Sequence, residues 1–204
     1  MGEPSKINLK FILAMVAVGA LFFAAFVWYG QSAGPREPVS GSHLGRVWED
    51  TAQGDHFDLL FSERGGVSYK FRGTGVMIYL DVYERGELIL QERVGGLGTG
   101  EPAQLEGSLI WGITTEQNRR SEIRARVTEQ GAVGFGFLDV SGIDFNPAVI
   151  AGADLGNGRI QLGRRYPLQI WKTGSTIWAV EGDVFVPERL RDNEQTIILY
   201  IVFE

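Results

Sequence analysis

From Phe11 to Tyr29 the chain reads FILAMVAVGALFFAAFVWY, with no charged residue. About 19 apolar residues make roughly 28 Å of helix, the thickness of a bilayer's hydrocarbon core. Trp28 and Tyr29 stand at the far end of the run, where amphipathic rings favour the membrane interface. Lys6 and Lys10 precede it, and positive charge on that side predicts a cytoplasmic N-terminus. The asymmetry is modest, because Arg36 and Arg46 follow on the other side. The pattern predicts a cytoplasmic tail over 1–10, one transmembrane helix over 11–30 and an exported remainder. A cleaved signal peptide is the alternative, since Gly30-Gln31-Ser32-Ala33 contains small residues. The apolar run exceeds the about 7 to 15 residues of a usual signal core, which favours a retained anchor.

Beyond a Gly-, Ser- and Pro-rich stretch, Gln31 to Gly45, the period of the pattern changes to two. That stretch reads as flexible, and the stalk is set at 31–54, with the domain at 55–204. Ser121 to Thr128 places Ile123, Ala125 and Val127 on one face and Glu122, Arg124 and Arg126 on the other. Val76 to Glu84 sets Ile78, Leu80 and Val82 against Tyr79, Asp81 and Tyr83. Such alternation is the mark of half-buried strands. Further strands are expected over 56–62, 66–72, 87–94, 105–114, 132–140 and 196–203. Turns are expected at Arg64-Gly65-Gly66, Arg85-Gly86, Gln130-Gly131 and Asn157-Gly158. The last strand, Thr196 to Phe203, is apolar on both faces and is expected to be central. Pro187 to Gln195 is the one helix-like interruption. Strands recurring every 10 to 15 residues or so, without amphipathic helices between them, predict an all-β antiparallel sandwich, Ig-like or jelly-roll-like.

Composition changes this picture by exclusion. The 204 residues include 25 acidic and 19 basic side chains, two histidines and no cysteine. A net charge of −6 without a basic cluster argues against nucleic acid. Arg119-Arg120, with Arg124 and Arg126 beyond, is the nearest approach to one. Absence of cysteine removes disulfides, thiolate nucleophiles and thiolate-bound zinc.

Candidate chemistry is sparse. His43 and His56 flank the start of the domain, and there is no Gly-x-Ser-x-Gly elbow, so a nucleophilic triad is poorly supported. Gly95 to Gly100 (GGLGTG) is followed by Glu101-Pro102, which puts acidic charge where a phosphate would sit. It reads as a hairpin or crossover loop. Asp139, Asp144, Asn146, Asp154 and Asn157 offer hard oxygen ligands of the kind calcium prefers. Their spacing fits no EF-hand loop, and Asx turn-capping accounts for them equally. Calcium, through Asp139, Asp144, Asp154 and Asn157, is the only cofactor that enters. Asp81, Asp139, Glu181 and Asp183 lie in or beside strands, but nothing singles out an acid–base pair. Trp111, Trp171 and Trp178 with Tyr83 are candidates for an aromatic platform, and buried packing is the competing role.

The succession Tyr69-Lys70-Phe71, Asp81-Val82-Tyr83, Gly95-Gly96-Leu97 and Leu168-Gln169-Ile170-Trp171 resembles that of uncharacterised membrane-tethered extracytoplasmic β-domain proteins of Gram-positive bacteria. The resemblance implies a similar topology and carries no catalytic residue. The expectation is a single-pass protein of the cell membrane, with its β domain outside. It touches lipid through 11–29 and engages another membrane protein or a cell-wall polymer. A non-enzymatic interaction or sensing module fits best. The alternatives are a carbohydrate- or peptide-binding domain and a carboxylate- or calcium-dependent hydrolase.

Overall fold

The computed structural model describes residues 40–46, 61, 63–116, 119–143, 145, 149–152, 158–173 and 183–204, and of 115–116, 119–121 and 149–152 the backbone alone. The apolar run at 11–29, all but residue 61 of the strand expected at 56–62, Trp178, Asp144, Asn146, Asp154 and Asn157 lie outside these residues. Among the described residues no helix is long and apolar enough to cross a membrane.

Among the described residues the strands are β1 (His43–Arg46), β2 (Glu63–Glu84), β3 (Glu87–Glu116), β4 (Arg119–Glu129), β5 (Ala132–Asp139), β6 (Val149–Gly152), β7 (Arg165–Thr173) and β8 (Gln195–Phe203), with one short helix, α1 (Pro187–Arg191). All pairings are antiparallel. The order in the single sheet is β5-β4-β3-β2-β8-β7-β6, and β1 pairs with β2 off that path. The all-β, antiparallel expectation therefore holds for the described residues. β8 lies between β2 and β7, in the central place its two apolar faces predict.

Three expectations are corrected. Gly95 to Gly100 is no loop but runs within β3. Arg64-Gly65-Gly66 is no turn but lies inside β2, where the Trp111 indole covers Gly65 and takes the place of its missing side chain. Residues 43–46, expected in the stalk, form β1, and Leu44 is fully buried. The first two misses share one physical origin. Glycine signals a turn when read alone, but it equally marks a strand that another backbone or ring approaches closely.

The turns that hold are Arg85-Gly86 and Gln130-Gly131. Both central residues have positive φ in each case, at 47° and 85° and at 43° and 90°. This is the type I′ geometry that matches the twist of a two-residue hairpin.

β2 and β3 are long because they change direction without ending. In β2, Val67, Tyr69 and Phe71 point inward, and beyond a register shift at Gly73/Gly75 the inward set becomes Val76, Ile78, Leu80 and Val82. An extra residue in one strand swaps the faces and bends the strand. The first half of β2 pairs with β1 and the second with β8, while β3 follows both. One apolar core collects side chains from both halves, including Phe71, Leu105, Trp111, Ile123, Leu199 and Phe203. Phe203 sits edge-on to Tyr69, Phe71 and Tyr166 at centroid distances of 5.7, 4.8 and 5.6 Å.

The sheet also folds back on itself. A Cβ on Gly95 of β3 would lie 2.6 Å from the Cα of Gly136 on β5, and one on Gly136 would lie 2.5 Å from the Val94 carbonyl oxygen. Two backbones touch there with no side chain between them, an approach that only glycine permits.

Candidate functional site

The face of β2 carrying Tyr79, Asp81 and Tyr83 reads in the sequence as the polar, outward one. The structure covers it. Residues 183–191 bring Val184, Phe185 and Leu190 against Tyr83, Ile170, Ile198 and Tyr200, a second apolar cluster on the far side of the sheet. In α1, Pro187 occupies the first turn, Glu188 lies at the positive end, and Arg189 and Arg191 lie at the negative end. These residues favour the short helix, and Leu190 anchors it.

Asp81 lies at the edge of this cluster and is fully buried. The hydroxyl of Tyr83 donates to Oδ2 at 2.8 Å, and that of Tyr200 to Oδ1 at 3.0 Å. Gln91 Nε2 donates to Oδ1 at 3.0 Å, and Arg165 Nη1 approaches Oδ2 at 3.4 Å. The donors are themselves linked: Gln91 donates to the Tyr200 oxygen and Arg165 to the Tyr83 oxygen, at 3.0 and 3.2 Å. The Arg165 guanidinium also lies 3.9 Å from the Phe185 ring centroid, a cation–π contact. Every lone pair of the carboxylate is directed at a donor and none at solvent. That arrangement holds four strands in register; it does not leave an oxygen free for acid–base work.

The network also acts on its tyrosines. Burial, followed by the hydrogen bond to Asp81 and its negative charge, pushes the Tyr83 hydroxyl up to about 12. Burial, then Asp81, raises Tyr200 further. An acid whose folded value lies above its unfolded value stabilises the fold while it stays protonated. This contribution is complete below pH ~10 and is lost as pH rises toward about 12. In an alkaline titration followed by tyrosinate absorbance, we expect Tyr83 and Tyr200 to ionise only as the domain opens. Tyr83→Phe and Tyr200→Phe should each reduce that late amplitude, leaving the share of Tyr69, which burial and then Glu129 also raise. Ionisation of both at pH ~10 in a folded chain would contradict the network.

The residues proposed from sequence separate. Trp111, Trp171 and Tyr83 are buried, at 3%, 1% and 6% exposure. Trp171 donates from Nε1 to Glu63 at 2.7 Å and packs edge-on to Phe145 at 5.3 Å, so its ring serves the core. An open stacking platform needs exposed ring faces, which these three lack. Asp139 Oδ1 accepts the Ser141 N–H at 2.8 Å, closing an Asx turn after β5. Hydrogen bonding from the Ser141 side chain, and then from its N–H, holds the Asp139 carboxyl below the usual range. Among the described residues no cluster of three or more acidic or histidine side chains could hold a metal ion.

The sequence reading missed a different surface. Phe135 and Phe137 on β5 are 75% and 74% exposed, and Val133 is 48% exposed. Large apolar residues at alternate positions of a strand ordinarily face the core, with the residues between them outside. The structure inverts this, because Gly134 and Gly136 lie against the backbone of β3 at Val94 to Gly96 and the phenylalanines turn outward. Beside them on β4, Arg124 stands opposite Phe137 and Arg126 opposite Phe135. Arg124 is fixed by Glu122 through bonds of 2.8 and 3.1 Å. The sequence held one signal for this face, the glycine–aromatic alternation Gly134-Phe135-Gly136-Phe137. Compared with known proteins, the chain matches no family model, no curated protein and no solved structure.

Proposed function

We propose that the chain is a non-enzymatic interaction module, anchored in the cell membrane by residues 11–29 and displaying its β domain on the extracytoplasmic side. The observation that carries the interaction reading is the exposed apolar row of β5. Two phenylalanines three-quarters exposed and adjacent on one strand form a contiguous patch of the kind that marks a binding surface. The anchor rests on the uncharged 19-residue run with its interfacial Trp28 and Tyr29 and the preceding Lys6 and Lys10. We read the curled sheet as a sandwich, its two layers joined through the bends of β2 and β3. The Gly95–Gly136 contact supports that reading, because it brings the first half of β3 beneath β5.

Membrane fractionation with protease protection, and photo-crosslinking, test this. The full chain should sediment with membranes through alkaline extraction, and protease applied outside spheroplasts should remove the β domain. Recovery in the soluble fraction refutes the anchor. A photo-crosslinking residue at Phe137 should capture a neighbour in cells at least ~10-fold more often than one at Glu188, on the opposite cluster's helix. Equal capture at both positions refutes β5 as the interaction surface. With the photo-crosslinking residue moved to Val133, which is 48% exposed on the same face, Phe135→Ser with Phe137→Ser should abolish capture and shift unfolding free energy by no more than about 0.5 kcal/mol, since the rings already face solvent.

A further inference from the structure

We infer that the partner of β5 is β5 of a second copy of this chain, joined edge to edge in antiparallel register about Gly136. This deepens the interaction reading above and rests on it. The first argument is the direction of the hydrogen bonds. Glu129 and Ala132 flank the two-residue turn and are register partners. In a type I′ hairpin the flanking pair exchanges both backbone hydrogen bonds, and such pairs recur at every second residue. Ala132, Gly134, Gly136 and Leu138 therefore turn their amides toward β4. Val133, Phe135, Phe137 and Asp139 turn theirs toward the other edge, which no strand occupies among the described residues.

The second argument is the absence of any edge protection. A lone edge strand is usually blocked by lysine, proline or a bulge. Ala132 to Leu138 contains no charge and no proline, and its pairing with β4 runs without a register shift. The third argument is self-complementarity. A two-fold axis at Gly136 sets Phe135 opposite Phe137 of the second copy, twice, and gathers four rings on one face. Val133 then meets Asp139, so the strand's one charge never faces itself. Inner positions pair Gly134 with Leu138, which adds no bulk where β3 passes beneath.

The area sets the strength. Two phenylalanines at about three-quarters exposure offer roughly 300 Å² per copy, of which edge-to-edge pairing covers only the part where rings meet across the seam, so the contact stays below the about 1,200 Å² of stable specific interfaces. Such a dimer is weak in dilute solution. Confinement of both copies to one membrane raises their effective concentration and makes it significant.

The chain has no cysteine, so single cysteines report cleanly. Full-length Phe135→Cys and Phe137→Cys chains, carrying different tags, are coexpressed, and isolated membranes are oxidised with copper phenanthroline. Opposed hydrogen-bonded residues lie about 5.5 Å apart between Cα atoms, within disulfide reach, whereas diagonal neighbours at about 7 to 8 Å are not. The mixed pair should cross-link at least ~10-fold more than either variant alone or than Glu188→Cys. Val133→Pro, which removes an outward amide and leaves both rings and the β4 ladder in place, should reduce that yield about 10-fold while the melting temperature holds. Mixed yield no higher than the single variants overturns the dimer. If the Phe137 photo-crosslink then captures lipid or a different protein, the surface belongs to that occupant and only the self-pairing falls. If it captures nothing, both readings fall.

Discussion

Replacing Asp81 with alanine should destabilise the domain by about 3–5 kcal/mol, measured by urea unfolding of the purified full chain followed by near-ultraviolet circular dichroism. The cost comes from what is left behind. Tyr83, Tyr200, Gln91 and Arg165 all direct donors at the carboxylate, and removing it strands them, with the guanidinium facing a cavity instead of its counter-charge. Asp81→Asn keeps the volume and one acceptor and should lose less. The effect should not be additive with Tyr200→Phe, because the second substitution removes a donor that the first has already orphaned. A loss below about 1 kcal/mol for Asp81→Ala would mean that the network is no more than a surface decoration.

Gly95→Val should cost about 3 kcal/mol, and Gly136→Val a similar amount, by the same assay. The atoms a new Cβ would meet are the Cα of Gly136 at 2.6 Å and the Val94 carbonyl at 2.5 Å. Both belong to backbone, so no rotamer change can relieve the contact, and one part of the curled sheet must lift from the other. Gly142→Ala is the control, since a Cβ there meets nothing within 4 Å. It should be neutral to within about 0.5 kcal/mol. Equal tolerance at 95 and 142 would show that β5 does not rest on β3.

These two sites mark how far the sequence could be read. The period-two pattern of Val76 to Glu84 separates the faces of β2 correctly, with Ile78, Leu80 and Val82 in the main core. It names Asp81 and Tyr83 as the opposite row but cannot show that the row is covered. The cover comes from residues 183–191, about 100 positions away, whose own pattern is too short to have a period. For β5 the pattern gives the strand but not its faces. Alternation reports which residues are alike, and the direction of the core must come from elsewhere. Here it comes from the steric demand of a backbone crossing at Gly136, where a Cβ would meet the Val94 carbonyl oxygen at 2.5 Å. Length was obscured for a related reason. Gly73 to Gly75 and Gly95 to Gly100 look like breaks, yet in the structure β2 and β3 run through them.

The position of β8 has a consequence for how the domain is made. Its register partners on β2 run from Glu84↔Gln195 to Val76↔Phe203, more than a hundred residues apart in the chain. A ribosome therefore delivers β2 to β5 well before the strand that must slot in beside β2. During that interval the second half of β2 presents an open edge, and Asp81 waits without its Tyr200 and Arg165 donors. Closing so long a loop is entropically slow, and sheets dominated by distant pairings fold on the slow side of the known range. Nascent chains should thus pass through a vulnerable half-sheet, and assistance during synthesis would act on that species before it acts on any finished surface.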